Sequence, residues 1–324
     1  MSTVRIISRD NGVGLTRDMA LVAELFRDAG HEVEVVAYGG NRLASHLLEL
    51  RQWARHALGK RVDVQIFLER VYRRLLPLGA RNVLVPNPEW FSPRWSALLP
   101  RFDVVACKTR HGQRIFESLA SNVIEVGFTS DDILDPTVER QRQFFHLAGR
   151  SSAKGTEAVL DAWARHPEWP RLIVVQNPKT ATRSVTAANV EHRVEYVDAR
   201  ALQQLQNACR FHLCPSEIEG FGHYLNEARS VGAVVLTSDG APMHELIDAS
   251  HGVLLAPACR RPDGLVERCL VDVAGIEAGV ATVLAFDEAE IARRSRIARS
   301  HFEVDDRRFR EGFVRDIMQA AGLV

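Results

Sequence analysis

Two glutamates that stand eight positions apart, Glu219 and Glu227, flank a Gly-Phe-Gly turn at residues 220–222. An apolar run over residues 211–214 precedes the turn and a helix-like run follows it, which predicts a strand, a loop and a helix in succession. The N-terminus of a helix favours anionic oxygens, and carboxylates accept hydrogen bonds from neutral hydroxyls. A ligand that is part phosphate and part polyol, such as a nucleotide sugar, fits this set of groups. The alternative, two acids that only complement the helix dipole, explains Glu227 poorly because it would lie beyond the first turn.

A second candidate site follows the strand predicted at residues 143–148. Gly149 provides a turn, and two cations, Arg150 and Lys154, stand four positions apart before Gly155 and a predicted helix. The planar fork of an arginine and the point charge of a lysine together suit a diphosphate. Two solvated loop cations are the alternative, but the acidic turn in the same half of the chain favours a pyrophosphate clamp.

Glycines also follow the first predicted strand. Gly12 and Gly14 would let the backbone approach a ligand at the start of the next helix. A dinucleotide fingerprint is incomplete, because Arg17 stands where a third glycine belongs and no acid ends the second strand at Tyr38. We expect Gly12 and Gly14 to contribute to donor binding, with a glycine-rich turn without a ligand as the alternative.

Two further strand ends carry candidates for the acceptor or sugar side. Asn87 and Glu89 lie in a proline-stiffened run after residues 82–86, and His111 follows the strand predicted at residues 103–107. Hydrogen-bonding side chains there could hold a sugar. A rigid loop and a solvated helix start are the alternatives.

Residues 51–81 contain eight Lys or Arg against two Asp or Glu. Within residues 43–58 an apolar stripe repeats at helical spacing, with Arg51 and Arg55 off it. Such a segment can bind anionic lipid or a charged acceptor, which predicts peripheral membrane contact. The alternative is a solvated helix face whose apolar stripe is buried in the core.

The composition limits the classes of function. The chain has 324 residues and 41 Lys plus Arg against 41 Asp plus Glu, so no overall field favours nucleic acid. Five cysteines form no C-x-x-C pair and indicate reduced thiols. No leader-like start or membrane-spanning run is evident, which predicts a cytoplasmic protein, either free or peripheral on the inner face of a membrane. No D-x-D or H-E-x-x-H motif suggests a metal, and we expect no cofactor.

Short β-rich runs alternate with helical patterns along the whole chain, which favours parallel sheets covered by helices on both faces. We expect an α/β fold with domains at 1–140 and 141–299, and a helix at 300–324 that packs back on the first domain. The strands are predicted at 3–8, 33–37, 63–68, 82–86, 103–107, 122–126, 143–148, 171–176, 194–198, 211–214, 233–237 and 252–255. After residue 264 the patterns are helical.

These motifs resemble the donor domain of the family-4 retaining glycosyltransferases, also called group 1 glycosyltransferases, over about residues 145–257. The matching segments are Gly149-Arg150…Lys154-Gly155, Pro215-Ser216…Glu219-Gly220-Phe221-Gly222…Glu227 and Gly240-Ala241-Pro242…Glu245. The resemblance implies the GT-B architecture: two facing Rossmann-like, doubly wound parallel-sheet domains with a cleft between them. It also implies an enzyme that needs no metal.

The resemblance assigns roles to the site residues. Arg150 and Lys154 would hold the donor diphosphate, Glu219 would contact the sugar hydroxyls, and Glu227 would bind the ribose. Backbone amides of Phe221 and Gly222 would help to hold the sugar and the phosphate. Gly149 and Gly220 are further residues that we expect to bind the donor. The Asn87-Pro88-Glu89 run stands where many members carry a histidine at the end of a strand.

The expected activity is retaining transfer of a hexose-type sugar from a nucleoside diphosphate to an acceptor hydroxyl on a glycan, glycolipid or small molecule. Arg150, Lys154 and Glu219 are the expected catalytic residues. The base, whether UDP, GDP or dTDP, stays open. The alternatives are a sugar-nucleotide epimerase or phosphorylase of the same fold, an NAD-dependent enzyme, and a catalytically silent sugar-nucleotide-binding protein.

Overall fold

A computed structural model of the chain describes residues 1–12 and 14–323. These residues form two compact units. The first comprises Met1–Phe128 together with the described residues from Arg307 onward, and the second comprises Thr129–Asp306. The domain bounds expected from the sequence stay a prediction.

The first unit contains a six-stranded sheet in the order β2-β1-β3-β4-β5-β6. All of its neighbouring strands are parallel. The order reverses between β1 and β3, and ligands of open α/β sheets bind beyond the carboxyl ends of the strands at such a reversal. The strands are β1 (Thr3–Arg9), β2 (Glu32–Tyr38), β3 (Val64–Leu68), β4 (Arg81–Val85), β5 (Val104–Cys107) and β6 (Val123–Glu125).

Helices cover this sheet. Helix α1 buries Leu15, Met19, Val22 and Phe26, whose spacing forms one apolar face. The helices are α1 (Gly14–Asp28), α2 (Arg42–Ala57), α3 (Arg110–Glu117) and the last part of α9 (Glu288–Ala320), with 3-10 turns at Leu76–Leu78, Pro88–Trp90 and Pro93–Arg101.

The end of α9 completes the core of the first unit. Its Phe309 ring lies 5.0 Å from the ring of Phe128, and its Phe313 ring lies 6.3 Å from that of Phe26. Phe309 and Phe313 stand four positions apart, so both lie on the buried side of α9.

Helix α2 turns its apolar stripe toward solvent. Leu43, Leu47 and Leu50 are 72%, 67% and 65% exposed, whereas Gln52 is the buried residue of this helix. Gln52 donates to Glu34 of β2 at 3.2 Å. The interpretation that this stripe is buried in the core is therefore wrong. The opposite, polar side of the helix contacts the sheet, because Glu34 provides acceptors there.

The second unit contains another six-stranded parallel sheet, in the order β12-β11-β10-β7-β8-β9. This is the order of a dinucleotide-binding fold, and it reverses between β7 and β10. The strands are β7 (Gln141–Gly149), β8 (Leu172–Gln176), β9 (Val190–Val194), β10 (Cys209–Cys214), β11 (Val234–Ser238) and β12 (Gly252–Leu255). The expected α/β class with two doubly wound parallel sheets is confirmed.

Two details of the second unit differ from the prediction. Strand β9 lies at Val190–Val194, before the predicted 194–198. An antiparallel hairpin of β13 (Cys259–Asp263) and β14 (Val266–Leu270) extends past residue 264, where only helices were expected. Strand β13 was not predicted because its residues Arg260-Arg261-Pro262-Asp263 are polar and show no apolar alternation.

The core of the second unit lies between β7, β10 and α4. The Phe144 ring lies 5.0 Å from the Trp163 ring and 4.9 Å from the Phe211 ring. The helices are α4 (Thr156–Arg165), α5 (Ala199–Ala208), α6 (His223–Ser230), α7 (Met243–Leu246), α8 (Val273–Leu284) and the first part of α9. Among residues 1–12 and 14–323, no helix combines the length and the apolar character needed to cross a membrane.

Candidate active site

The two motifs that the sequence predicts to bind a donor meet at the reversal of strand order in the second unit. The loop after β7 ends at Gly155, and the loop after β10 begins at Pro215. Gly155 has a φ of +67°, and a Cβ built there would lie 2.6 Å from the carbonyl oxygen of Pro215. The N–H of Glu217 donates to the carbonyl of Ala153 at 3.0 Å. The second loop can therefore lie against the first because Gly155 lacks a side chain.

Lys154 and Glu219 form an ion pair at this junction. Their side chains are 16% and 14% exposed, so water screens the pair weakly. The Lys154 Nζ also lies 3.8 Å from the centre of the Tyr224 ring. The Ser216 hydroxyl donates to Glu219 Oε1 at 2.5 Å and lies 2.5 Å from the Tyr224 hydroxyl. Ser216 and Tyr224, which the sequence did not single out as site residues, thus help to position the charged pair.

Burial raises the pKa of Tyr224 well above its usual value. The Tyr224 phenol is therefore neutral at physiological pH and keeps its proton available for a hydrogen bond.

Two helices begin at the same junction with glycine caps. Gly155 caps α4 and Gly222, with a φ of +98°, caps α6. Because a glycine has no side chain, neither cap offers a side-chain acceptor to the N–H groups of the first turn. Gly220 and Phe221 are buried beside the second cap. Two helix N-termini and the Lys154 ammonium can together stabilise an anion.

Glu227 lies further along α6 and is buried. Gln206 of α5 donates to its Oε2 at 3.1 Å. The pKa of the Cys214 thiol at the end of β10 is raised, mainly by burial. The charges of Lys154, Glu219 and Glu227 also act on this thiol: the lysine lowers its pKa and the two glutamates raise it. Both predicted acids and the predicted lysine therefore lie around the carboxyl end of one central strand.

Arg150 has a different environment from Lys154. It is exposed directly after Gly149, whose φ is +55°. Within the described part of the chain, Arg150 forms no hydrogen bond or ion pair. Its guanidinium is thus placed in solvent at the mouth of the β7 loop, and its role in a clamp stays a prediction.

His146 was not identified from the sequence. Its Nδ1–H donates to the carbonyl of Leu213 at 2.8 Å, so its Nε2 accepts from the hydroxyl of Thr156 at 2.9 Å. Burial lowers the pKa of His146 to about 4. This neutral imidazole joins β7 to β10 and to the start of α4. A histidine inside an apolar run carries no sequence signal of such a role.

In the first unit, Gly12 follows β1 and has a φ of +68°. Its N–H donates to Asp10 at 3.0 Å and to the Thr16 hydroxyl at 2.9 Å. The pKa of Asp10 is lowered, first by the Thr16 hydrogen bond and then by that of Gly12. Gly14 is the first residue of α1, and Val13 between them lies outside the described residues. The amide of Gly12 is thus already bonded within its own turn.

The other candidates of the first unit lie after β4 and β5. The Asn87 amide donates to Glu69 at 3.0 Å. Glu69, which directly follows β3, has a φ of +66°, a conformation that costs free energy for a residue with a side chain. Glu89 lies in the turn Pro88–Trp90, and His111 is the second residue of α3. The structure joins Asn87 to Glu69, a residue that sequence patterns alone did not indicate.

The motifs of the second unit agree with a known family. The family described as "Glycosyl transferases group 1" matches residues 142–271. This stretch is similar to a group 1 glycosyltransferase domain. The match supports glycosyl transfer from a nucleotide sugar, and it includes Arg150, Lys154, Glu219 and Glu227.

The two units also match solved glycosyltransferase structures of GT-B architecture. A sucrose-phosphate synthase from Thermosynechococcus elongatus superposes with a TM-score of 0.73 at 13% identity, covering 99% of this chain and 100% of the other. A glycosyltransferase from Rickettsia africae gives a TM-score of 0.69 at 12% identity, with 98% of each chain covered. HepE of Anabaena, solved with UDP-glucose, gives 0.65 at 17% identity, with 99% of each chain covered. At these identities the similarity concerns the fold. No curated protein matches the sequence of the chain.

One group of side chains in the second unit, within the described residues, has the composition of a metal site. It consists of Asp248, His251 and His301, whose ligand atoms lie within 4.8 Å of one another. Residues 248–251 precede β12, so they lie at the amino end of a parallel strand. The ion pair of Lys154 lies at the carboxyl ends, so this group is separate from the candidate active site.

Proposed function

We propose that the protein is a retaining glycosyltransferase that moves a hexose-type sugar from a nucleoside diphosphate to an acceptor hydroxyl. The observation that carries the proposal is the ion pair of Lys154 and Glu219 beside two glycine-capped helix starts, at the strand-order reversal of a group 1 glycosyltransferase domain. In this arrangement Lys154 provides a cation for phosphate and Glu219 provides an acceptor for sugar hydroxyls at one place.

In this proposal the bound donor separates the ion pair. The diphosphate binds Lys154, Arg150 and the N–H groups at the starts of α4 and α6, while a sugar hydroxyl donates to Glu219 in place of the lysine. Glu227 accepts hydrogen bonds from the ribose. After this exchange each buried charge still has a partner, which limits the free-energy cost of separating Lys154 from Glu219.

The bond between the sugar and the diphosphate then breaks ahead of the attack. Lys154, Arg150 and the amides stabilise the negative charge that develops on the leaving diphosphate. The acceptor hydroxyl attacks the same face of the sugar and gives its proton to a departing phosphate oxygen, so no protein nucleophile and no metal takes part. The acceptor is a glycan, a glycolipid or a small molecule.

The test begins with donors. UDP-, GDP- and dTDP-sugars are added to the protein in a thermal-shift panel, with UDP-glucose first because HepE has been solved with it. The stabilising donor is then incubated with candidate acceptors, and NMR of the product reports the configuration at the anomeric carbon. A product with inverted configuration would contradict the retaining mechanism. Turnover that requires inorganic phosphate would indicate a phosphorylase, and a change of the donor sugar itself would indicate an epimerase.

Two variants separate a sugar-binding role from a general loss of structure. Glu219→Gln should lower turnover sharply without weakening nucleoside diphosphate binding, because Glu219 is assigned to the sugar. Glu217→Gln is the matched control, since Glu217 is two residues away and pairs with Arg268 at 2.9 Å. Wild-type turnover in Glu219→Gln would remove the role given to Glu219. Addition of EDTA should leave turnover unchanged if the reaction needs no metal.

We also propose a cytoplasmic location. The five cysteines are all free, and four of them are buried. A reducing compartment keeps such thiols unpaired. Fractionation of cells that express the full chain would test the location.

A further inference from the structure

Helix α2 carries an exposed apolar face that nothing in the described residues of the first unit covers. Five of the twelve large exposed hydrophobic side chains in the described chain lie between residues 43 and 58. Leu43, Leu47 and Leu50 are separated by four and three residues, so they share one side of the helix. Leu58 at the cap is 79% exposed. Single exposed leucines are common, but a contiguous row of them indicates a binding surface.

Exposed cations lie on α2 and in the segments that follow it along the chain. Arg42, Arg51, Lys60, Arg61 and Arg73 are all exposed, and none of them forms an ion pair with another residue of the described chain.

The nearby acids are already neutralised by other cations. Arg74 contacts Glu49 at 2.9 Å, and Glu34 is bound by both Arg5 and Arg55. The surface around the leucines is therefore positive, and its exposed cations are available for phosphate groups.

We propose that α2 docks this protein on the surface of an anionic lipid bilayer, with the helix axis in the plane of the membrane. The occupant of the surface must be apolar in its interior and anionic at its boundary, and a bilayer with anionic headgroups has both properties. Leu43, Leu47 and Leu50 enter the acyl boundary, while Arg51 and Lys60 meet the lipid phosphates.

A second copy of the chain fits this surface less well. Two copies facing each other through α2 would bring their positive rims together, and like charges at an interface oppose association. The inference goes beyond the proposed glycosyl transfer, and its test requires neither donor nor acceptor.

Vesicle flotation with the full chain tests the proposal. The protein should float with vesicles of phosphatidylglycerol and phosphatidylcholine, and binding should fall in vesicles of phosphatidylcholine alone or at high salt. Leu47→Gln with Leu50→Gln should lower the partition coefficient by at least about tenfold, since each leucine loses an apolar contact. The matched control is Leu134→Gln with Val304→Gln, two exposed aliphatic positions of the second unit. This control should float like the wild-type chain.

A second measurement locates the contact on the chain. Trp53 lies on α2 and is 43% exposed, so brominated lipids in the vesicle should quench part of the tryptophan fluorescence. Trp53→Phe should remove most of that quenching. Unchanged flotation of the double leucine variant would overturn the proposal. A different pair of results would also overturn it: the wild-type chain fails to bind anionic vesicles, and sedimentation shows a self-association that the leucine changes abolish.

Discussion

At the scale of single residues, Lys154 is the central cation of the proposed mechanism. In the structure it is partnered by Glu219 and by the face of the Tyr224 ring. In the proposed mechanism, the donor diphosphate displaces Glu219 from this cation. Lysine is a flexible point charge, so it can change partners without moving the backbone.

We expect Lys154→Ala to weaken nucleoside diphosphate binding by about 1.5–3 kcal/mol, the usual range for a hydrogen bond to a charged group. Binding of the free nucleoside should not change, because it has no phosphate. Isothermal titration of both ligands gives the comparison. Lys60→Ala, an exposed lysine of the first unit, is the control and should bind both ligands as the wild-type chain does. An equal loss for nucleoside and diphosphate would point to a damaged pocket.

At the scale of elements, the approach of the β7 and β10 loops depends on Gly155. In Gly155→Ala the new Cβ would meet the backbone oxygen of Pro215, and the two loops would have to separate. Gly264→Ala is the matched control, because Gly264 has a similar φ of +63° but a Cβ there would meet nothing within 4 Å. Both changes should lower the free energy of unfolding by about 1–2 kcal/mol through backbone strain. Only Gly155→Ala should also reduce nucleoside diphosphate affinity in titration calorimetry. Equal affinities in the two variants would contradict this role of Gly155.

The His146 contacts make the same junction sensitive to acid. Its folded pKa of about 4 lies below the ordinary value of 6.5, so the unfolded chain binds the proton first. Stability from the neutral ring is complete above pH 6.5 and is lost as the pH falls toward 4, by up to about 1.4 kcal/mol per pH unit. Urea unfolding at pH 7 and pH 5 should show a smaller pH dependence in His146→Gln than in the wild-type chain. His212, whose pKa burial lowers to about 3, contributes in the same direction and remains in both proteins. If the free energy of unfolding changes equally with pH in both proteins, His146 does not contribute to the pH dependence.

Sequence patterns predicted strands and helices correctly where a run or a regular spacing of apolar residues marks the element. Strands buried on both faces, such as β3 and β10, appear as apolar runs, and glycines with positive φ mark the loops. Strand β9 is only partly buried along its length, so its position carried little apolar signal. Helix α2 shows the opposite problem: its apolar spacing predicted a helix correctly, but the spacing alone cannot say whether the stripe faces the core or solvent. Contacts such as that of His146 with the Leu213 carbonyl depend on the order of the strands in the sheet, and periodicity carries no information about that order.

At the scale of the whole molecule, the second unit has polar contacts that reach its last residues. Arg229 is 1% exposed and pairs with Asp305 at 2.5 Å, and Thr129 donates to Asp306 at 2.8 Å. We expect residues 129–306 alone to unfold cooperatively and to bind nucleoside diphosphate. A fragment that ends at residue 300 lacks Asp305 and leaves the buried Arg229 with the Asn226 side chain as its remaining acceptor. It should lose about 1.5–3 kcal/mol, the usual range for a hydrogen bond to a charged group. Calorimetry of the two fragments is the measurement, and equal stability would contradict the role of Asp305.

The division of the chain has a consequence for its synthesis. The first unit is discontinuous, because Phe26 and Phe128 pack against Phe313 and Phe309 from the far end of the sequence. On the ribosome the second unit has all of its residues before the first unit does. At a synthesis rate of roughly 5–20 residues per second, Phe313 and Phe309 are added on the order of 10–40 s after Phe128. The apolar surface around Phe26 and Phe128 has no partner from α9 during this time. The unit that is translated first is thus the last to be completed, and during that interval it is the part of the nascent chain most in need of a chaperone.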